Sequence, residues 1–306
     1  MNMRELDVQV GTRLPLAAPV SNTIFVAFDT ETTGLNPIGA KLVELCGVKF
    51  RGDGSEISTF QSLIDPQTTI PPEVTAIHGI TDSMVRGMPT YDVVIPEFLS
   101  WATDPEQPQP GAGNEQTIFM AHNAPFDLSF LEVAMCKLGL PVPENLVIDT
   151  LPLSRQLVND TANYQLRTLV EHLGLSSSVY HRALADSYHV RNLFITMLSR
   201  LPAEATVEMV VELAGKLHFC DRSQVDADSR WAEHPEMLRI KQAIETGIDL
   251  RISYSGLRKS VRTVTPRSVL FTGGTPYLSA FCHLAAAERT FRIDRIIKME
   301  TLEKQP

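Results

Sequence analysis

The sequence predicts an α/β domain followed by a small, strand-rich unit. Up to about residue 200, short apolar β-prone runs alternate with segments of helical spacing. Such alternation indicates a sheet covered by helices. Beyond about residue 236, apolar and polar residues alternate between Gly and Pro breaks, which is typical of strands in a compact β unit. The two parts also differ in charge, so two domains are expected.

The elements of the first domain follow from apolar runs and helical periodicity. Five runs are predicted as strands: Ile24–Phe28, Val43–Phe50, Ser58–Ile64, Ile118–His122 and Leu146–Thr150. Helical spacing begins after Pro125 and returns in two later segments, Gln165–His172 and Ala185–Leu198. The stretch from Trp101 to Gln116 is rich in Pro, Gly and acids, which predicts a surface loop.

Four segments are predicted along the chain. Residues 1–22 are read as a tail and residues 23–200 as the α/β domain. Residues 201–235 form a connecting helix, Glu204–Leu217, and a polar linker. Residues 236–306 form the strand-rich unit, which opens with a helix at Glu236–Glu245.

Composition and charge restrict the class of protein. Hydrophobic residues make up 43% of the chain, yet no apolar run reaches the length of a membrane span, so no membrane partner is expected. The four cysteines form no CxxC pair, which favours a reducing, cytoplasmic setting. The net charge is −9, but the stretch from Arg251 to Lys298 holds nine basic and two acidic residues, so it carries +7 and the remainder −16. This asymmetry favours nucleic acid or another polyanion as a partner, and solvated surface arginines are the alternative.

Two acidic residues, Asp29 and Glu31, follow the first predicted strand in the segment FDTETTG. The strand period of two places both carboxylates on one face. Like charges on one face repel each other and favour a bound cation, and all-oxygen ligands suit Mg²⁺ or Mn²⁺. A DxE pair also occurs on solvated loops, and the pair alone does not decide between these interpretations.

Asp127 and Asp186 lie near the starts of two later helices, in AHNAPFDLSFL and HRALADSYHV. An acid at a helix start is favoured by the helix dipole without any function. However, a strand-to-helix junction such as that of Asp127 is also where ligands bind in open α/β sheets. His181 precedes Asp186 in a predicted loop, and a neutral imidazole there can accept a proton from water, although an ordinary surface histidine is the alternative.

Together, DxETTGL, HNxxFDxxFL and HRALAD resemble the motifs of the DEDDh exonuclease family, which includes the proofreading subunits of bacterial DNA polymerases. The resemblance covers about residues 23–200 and implies a ribonuclease-H-like fold with a mixed central sheet flanked by helices. It implies 3′-to-5′ hydrolysis that releases nucleoside 5′-monophosphates. It assigns two Mg²⁺ or Mn²⁺ ions to Asp29, Glu31, Asp127 and Asp186, with His181 as the general base. It also places five residues at the terminal nucleotide: Thr30, Leu35, His78, Asn123 and Phe126. Asp149 lies nearby and is interpreted as structural.

The C-terminal unit resembles WYL domains, which are small Sm-like β-barrels of bacterial regulators and defence proteins. The matching segments are YLxAxCH from Tyr277 and RTFRIDRI from Arg289, while Pro276 stands in place of the family's Trp. RTFRIDRI is predicted as one strand with Arg289, Phe291, Ile293 and Arg295 on one face. Basic and aromatic side chains suit single strands or a phosphate-rich ligand, so the candidate residues are Tyr254, Tyr277, Arg289, Arg292 and Arg295. Pairing of Arg292 or Arg295 with Asp294 is the structural alternative.

Three functions compete. An active exonuclease is favoured because all five catalytic-type residues are present, with DNA preferred over RNA as substrate; an RNA-trimming exoribonuclease is the nearest alternative. A regulatory binding protein that senses nucleic acid or a nucleotide would use the same fold without hydrolysis. A proofreading subunit fits the C-terminal unit less well than a nuclease of repair or anti-phage defence. The sequence leaves the oligomeric state open.

Overall fold

The computed structural model describes residues 16–104, 117–175, 182–219, 234–256, 259–272 and 275–302. The first unit is built on a six-stranded sheet of order β3-β2-β1-β4-β5-β6. Its strands are β1 Ile24–Thr32, β2 Leu42–Arg51, β3 Glu56–Leu63, β4 Ile118–Ala121, β5 Leu146–Asp149 and β6 Leu217–His218. Strands β1, β4 and β5 run parallel, whereas β2, β3 and β6 are antiparallel to their neighbours. The predicted α/β architecture with a mixed central sheet is confirmed.

Eight α-helices belong to this unit in the described part of the chain, and a short 3₁₀ helix at Val20–Asn22 precedes them. The α-helices are α1 Pro72–His78, α2 Asp82–Val85, α3 Tyr91–Thr103, α4 Pro125–Leu138, α5 Thr150–Leu157, α6 Leu166–His172, α7 Ala183–Leu198 and α8 Val207–Ala214. None of the helices in the described ranges is long and apolar enough to cross a membrane.

The central strands are apolar on both faces because helices cover both sides of the sheet. Phe25 and Ala27 face a core completed by α7 and α8. Val26 and Phe28, which alternate with them along β1, face a second core completed by α3 and α4. A strand buried on both faces reads as a continuous apolar run, which is why IFVAF shows no polar alternation. These two cores hold the end of β1, and the acids on it, in a fixed place.

The segment from residue 201 to 219 is part of the first unit, which differs from the predicted connector. Helix α8 is shorter than the predicted Glu204–Leu217 helix, and it buries Val207, Val210 and Val211 in the core beside α7. Leu217 lies in β6, which pairs with β5. The apolar spacing of i, i+3 and i+4 is the stripe of a core-facing helix. Residues 16–22 also contact this unit, where Val20 is buried and its backbone N donates to the Ala205 carbonyl.

The prediction of a loop from Trp101 to Gln116 is wrong for its first residues. Helix α3 continues to Thr103, and Trp101 packs against Phe60 and Phe98 while its Nε1 donates to Ser58 Oγ at 3.0 Å. Burial of this large aromatic ring outweighs the composition of the segment that follows. Residues 105–116 lie outside the described ranges.

The C-terminal unit is one helix on an antiparallel sheet. Helix α9 spans Pro235–Thr246, and the sheet order is β10-β9-β8-β7-β11. The strands are β7 Leu250–Ser255, β8 Lys259–Thr272, β9 Thr275–Cys282, β10 Ala287–Arg292 and β11 Ile296–Thr301. Met237 and Ile240 of α9 pack on Ile252 and Leu278 of the sheet. Among the described residues, β10 and β11 are edge strands, so the sheet is not the closed barrel that was expected.

The prediction that RTFRIDRI is one strand is wrong in its second half. Strand β10 ends at Arg292, and residues 293–295 form a 3₁₀ turn that leads into β11. Phe291 and Ile293 are both buried, so the core contacts continue through the turn. Arg295 therefore does not lie on a strand face with Arg289, because the alternation of a strand stops at the turn.

Candidate active site

Asp29 and Glu31 lie on one face at the end of β1, as their spacing predicts. Both side chains are partly exposed, whereas the intervening Thr30 is buried. Asp186, in the first turn of α7, approaches the same point because α7 packs across β1 and β2. Ligand oxygens of the three acids all lie within 4.8 Å of one another. One strand and one helix therefore bring together three of the four predicted acids.

Asp127 is fixed to β1 by two hydrogen bonds. It lies in the first turn of α4, it is 3% exposed, and its Oδ1 accepts from Thr30 N at 3.0 Å and from Thr30 Oγ1 at 2.6 Å. Thr30 thus connects the helix acid to the strand between Asp29 and Glu31. Asp127 is not within the 4.8 Å group, but its charge raises the pKa of Asp29.

The carboxylates resist ionisation in the absence of a cation. Burial, and then the charges of Asp127, Glu31 and Asp186, raise the pKa of Asp29 well above its usual value. Burial and the neighbouring acids raise the pKa of Glu31 to about 8, and burial raises that of Asp127 to about 7. Carboxyl groups with raised pKa values are common at functional sites, where a bound cation favours their ionised form.

A buried ion pair that the sequence analysis missed lies beside the acids. Glu44 of β2 is opposite Glu31 in the sheet and fully buried. Arg182 donates to it through Nε at 3.2 Å and through a second nitrogen at 2.8 Å, and Ala183 N donates at 3.0 Å. Glu44 therefore holds the start of α7, one turn before Asp186. A lone glutamate inside the apolar run LVELCGVKF is the sequence signal that points to it, since a buried charge requires a partner.

His181, the predicted general base, lies outside the described residues. Its neighbour Arg182 is described, and it is the residue that precedes α7 and binds Glu44. Asp149, for which the sequence predicts a structural role, accepts from Asn123 N and from Leu151 N, both at 2.9 Å. It therefore caps the first turn of α5.

The five predicted substrate residues differ in their burial and in their contacts. Thr30 is buried against Asp127, and the Phe126 side chain is partly buried beside Phe130. Asn123 is exposed with a positive φ of 61°, at the turn before α4. His78 ends α1, is 3% exposed and accepts from Ile80 N through Nδ1, so its ring lies within the protein.

Leu35 has the most open position of these five residues. Its side chain is 85% exposed in the loop that joins β1 to β2. A large apolar side chain in that position, four residues from Glu31, suits contact with a base, so its role as a wedge stays a prediction.

Two family models match the chain. The model described as Exonuclease matches residues 26–194, and the model of the WYL domain matches residues 235–301. The first match covers more than half of the 306 residues. The chain belongs to the exonuclease family. The resemblances of both units are therefore confirmed, and residues 16–219 are called the exonuclease domain below, with residues 234–302 as the WYL domain.

Relatives of the exonuclease domain are parts of larger proteins. The DNA polymerase III PolC-type protein of Caldanaerobacter subterraneus subsp. tengcongensis is 38% identical over 189 residues, which are 62% of this chain and 12% of that protein. The protein of the same name from Clostridium perfringens is 32% identical over 192 residues, which are 63% of this chain and 12% of that protein. The matched region is thus a small part of these curated relatives.

Solved structures support the ribonuclease-H-like fold. E. coli exonuclease I in complex with a dA16 oligonucleotide has a TM-score of 0.51 and 15% sequence identity. The match covers 85% of this chain and 55% of that one. At this identity the likeness establishes the fold alone.

The candidate residues of the WYL domain differ in their surroundings. Arg292 forms a two-point ion pair with Asp294, the structural alternative weighed for it, and its backbone N donates to Tyr254 Oη at 3.2 Å. Arg289 and Arg295 are exposed, and Arg295 lines an open cavity with Ser255 and Gly256. Tyr277 instead packs against the exonuclease domain.

We expect stability without divalent cations to fall as the pH rises. Between the usual glutamate value of 4.5 and about 8, folded Glu31 binds more protons than the unfolded chain does, so the free energy of unfolding decreases through this window. Thermal unfolding in EDTA from pH 5 to 8.5 checks this, and Glu31→Gln should give a shallower decline. Added Mg²⁺ should raise Tm more at pH 8 than at pH 5. A wild-type decline no steeper than that of Glu31→Gln would contradict the assignment.

Loss of the Glu44 pair should impair both stability and hydrolysis. Arg182→Met leaves a buried carboxylate without its cation and should cost about 2–4 kcal/mol, less than a fully buried pair because Arg182 is partly exposed. Arg167→Met, which breaks the exposed pair with Glu171, is the matched control and should change stability by under about 0.5 kcal/mol. Denaturant unfolding and nuclease rates measure both variants. Equal behaviour of the two would exclude a special role for Glu44.

Proposed function

We propose that this protein is a metal-dependent exonuclease that removes nucleotides from the 3′ ends of nucleic acid strands as 5′-monophosphates. The observation that carries the proposal is the convergence of Asp29, Glu31 and Asp186 within 4.8 Å, with Asp127 bonded to the same strand. Placing four acids close together in a well-packed domain costs free energy of folding unless a bound cation compensates their charge.

The donor set fits two Mg²⁺ or Mn²⁺ ions. All candidate ligand atoms are carboxylate oxygens, which these hard cations prefer. Burial and the neighbouring acids raise the pKa values of Asp29 and Glu31, and a bound cation would offset this effect. Asp29, Glu31, Asp127 and Asp186 would hold the ions. When bound, the cations would stabilise the negative charge that develops on the phosphodiester during hydrolysis.

The protein groups then have distinct tasks. His181 would accept the proton of the attacking water, in the role that the family resemblance assigns to it. Thr30 keeps Asp127 oriented, and the Glu44 and Arg182 pair keeps α7, and so Asp186, at the strand end. Leu35 would contact the terminal base from the open side of the site.

DNA is the favoured substrate, with single-stranded 3′ ends. The curated relatives are named DNA polymerases, and the matched segment is a small part of each. The WYL domain that follows the exonuclease domain favours a role in repair or anti-phage defence. Trimming of RNA and sensing of a nucleotide without hydrolysis are the competing outcomes.

Substitution of each acid tests the proposal directly. Asp29→Ala, Glu31→Ala, Asp127→Ala and Asp186→Ala should each lower hydrolysis by about 10³-fold or more, and pairs of these substitutions should not add, because the acids act as a unit. EDTA should have the same effect. Glu208→Ala, an exposed acid on α8, is the control and should retain the wild-type rate.

One assay tests both the direction of degradation along the strand and the preference for DNA or RNA. End-labelled DNA and RNA of equal sequence are incubated with Mg²⁺, and a bulky 3′ block should stop degradation. Cleavage of a covalently closed circle would identify an endonuclease instead. Binding of strands without hydrolysis under all metal conditions would favour the sensing protein.

The exposed arginines of the WYL domain are proposed to bind the strand backbone or a phosphate-rich ligand. Arg289→Ala with Arg295→Ala should weaken binding to long single strands and reduce the log–log salt slope by about 1.4, since each phosphate contact contributes roughly 0.7. Arg167→Ala with Arg239→Ala removes the same charge elsewhere and should change binding little. Fluorescence anisotropy against salt measures both. Identical slopes would assign Arg289 and Arg295 to the solvated surface.

A further inference from the structure

The WYL domain contacts the exonuclease domain at the loop that follows the metal-binding strand. Ile38, in the loop of residues 33–41 between β1 and β2, is 6% exposed and packs with Val133 of α4. Tyr277 of β9 covers this pair, and Thr290 Oγ1 of β10 donates to the Ile38 carbonyl at 3.3 Å. Two side chains of the WYL sheet therefore hold one residue of the loop.

Tyr277 and Thr290 project from the same face of the WYL sheet. In the pairing of β9 with β10, Tyr277 is opposite Arg292 and Thr290 is opposite Ser279, two positions away along each strand. The alternate residues, Leu278 and Phe291, point to the other face and pack in the core with α9. One face of the sheet thus builds the domain, while the opposite face carries the contact with the exonuclease domain.

A hydrogen-bonded turn connects Ile38 to the residue next to Leu35. Asn36 accepts from Gly39 N at 3.1 Å and from Ala40 N at 2.8 Å through its carbonyl, and its Oδ1 accepts from Ile38 N at 3.0 Å. The base of the loop is closed by a bond from Thr33 N to the Lys41 carbonyl at 2.8 Å. Ile38 is therefore tied to Asn36, the immediate neighbour of the exposed Leu35.

The contact also includes the helix that carries a catalytic-type acid. Val133 and Cys136 lie on α4, the helix whose first turn holds Asp127, and Cys136 Sγ approaches the Val269 carbonyl of β8 at 3.9 Å. Both the loop after Glu31 and the helix of Asp127 rest on the WYL domain. The bare exonuclease domain would leave Ile38 exposed on this side.

We infer that Tyr277 and Thr290 are positioning residues that act through Ile38 on Leu35, so that the WYL domain sets the shape of the loop that grips the terminal nucleotide. The inference rests on the proposed function, because it takes Leu35 as a substrate contact. It gives Tyr277 a different task from the binding of nucleic acid or a ligand that the sequence predicts for it. A ligand that shifts the WYL sheet would change KM at a site in the other domain.

Kinetics of the full-length protein on a short oligonucleotide test the inference. Tyr277→Ala with Thr290→Val should raise KM by about 5-fold or more with a smaller change in kcat, since the acids and their supports are unaltered. Tyr277→Phe keeps the ring and should retain the wild-type KM. Thr301→Val, a strand threonine exposed on the opposite edge of the same sheet, is the matched control and should have no effect.

A double-mutant cycle separates action through Leu35 from a general loss of structure. In a Leu35→Ala background, Tyr277→Ala with Thr290→Val should add little to KM, because the residue through which they act is gone. Fully additive effects, or an unchanged KM in a variant with wild-type thermal unfolding, would overturn the inference.

Hydrogen exchange provides a readout that does not depend on hydrolysis. Amides of residues 38–41 should exchange faster in the Tyr277→Ala, Thr290→Val protein than in wild type or Thr301→Val, because the loop loses its anchor. If wild type shows no hydrolysis, the proposed function fails while this measurement still decides whether the WYL domain holds the loop. Unchanged exchange in the loop would overturn the inference in either case.

Discussion

Mutual repulsion among carboxylates at the end of β1 is the constraint on which the rest of the structure depends. Ligand oxygens of Asp29, Glu31 and Asp186 lie within 4.8 Å of one another, and partial burial together with the neighbouring acids raises the pKa values of Asp29 and Glu31. The surrounding fold must hold these groups together against their own charge. Apolar cores on both faces of the sheet fix the strand, and the hydrogen bonds of Thr30 and the Glu44 pair fix the two helices that deliver the other acids. These contacts hold the four acids in place in the structure.

The parts of this arrangement that depend on local periodicity could be predicted from the sequence. The shared face of Asp29 and Glu31 follows from the period of a strand. Apolar runs locate the long strands of the central sheet, although β1 continues beyond its predicted end at Phe28 to Thr32 and so contains both acids. The motifs supplied Asp127 and Asp186, since no local pattern brings residues so distant in sequence to one point. Their convergence is a property of the topology, in which α4 and α7 both pack on the sheet beside β1.

The features that escaped prediction depend on tertiary contacts. Glu44 is a charged residue in an apolar strand, and its partner Arg182 is 138 residues away in the sequence although it contacts Glu44 in the structure. Helix α8 resembles a connector because its flanking residues are polar, but its valines complete the core under α7. The 3₁₀ turn at residues 293–295 ends the alternation of side chains between the two faces of β10, which the sequence RTFRIDRI predicts to continue. Glu44, the valines of α8 and Ile293 of the turn all contact residues that are distant in the sequence.

The anchorage of Ile38 has a consequence for how these two domains can be exchanged between proteins. In this protein Tyr277 of the WYL domain packs on Ile38 and Val133 of the exonuclease domain. A WYL domain joined to another exonuclease would find the same contact only if that nuclease has an apolar residue in the equivalent loop and a small apolar side chain on the facing helix. Transplantation of this unit as a module therefore requires a matched pair of side chains in the host. Compatibility of the two domains therefore depends on side chains of the exonuclease domain as much as on those of the WYL domain.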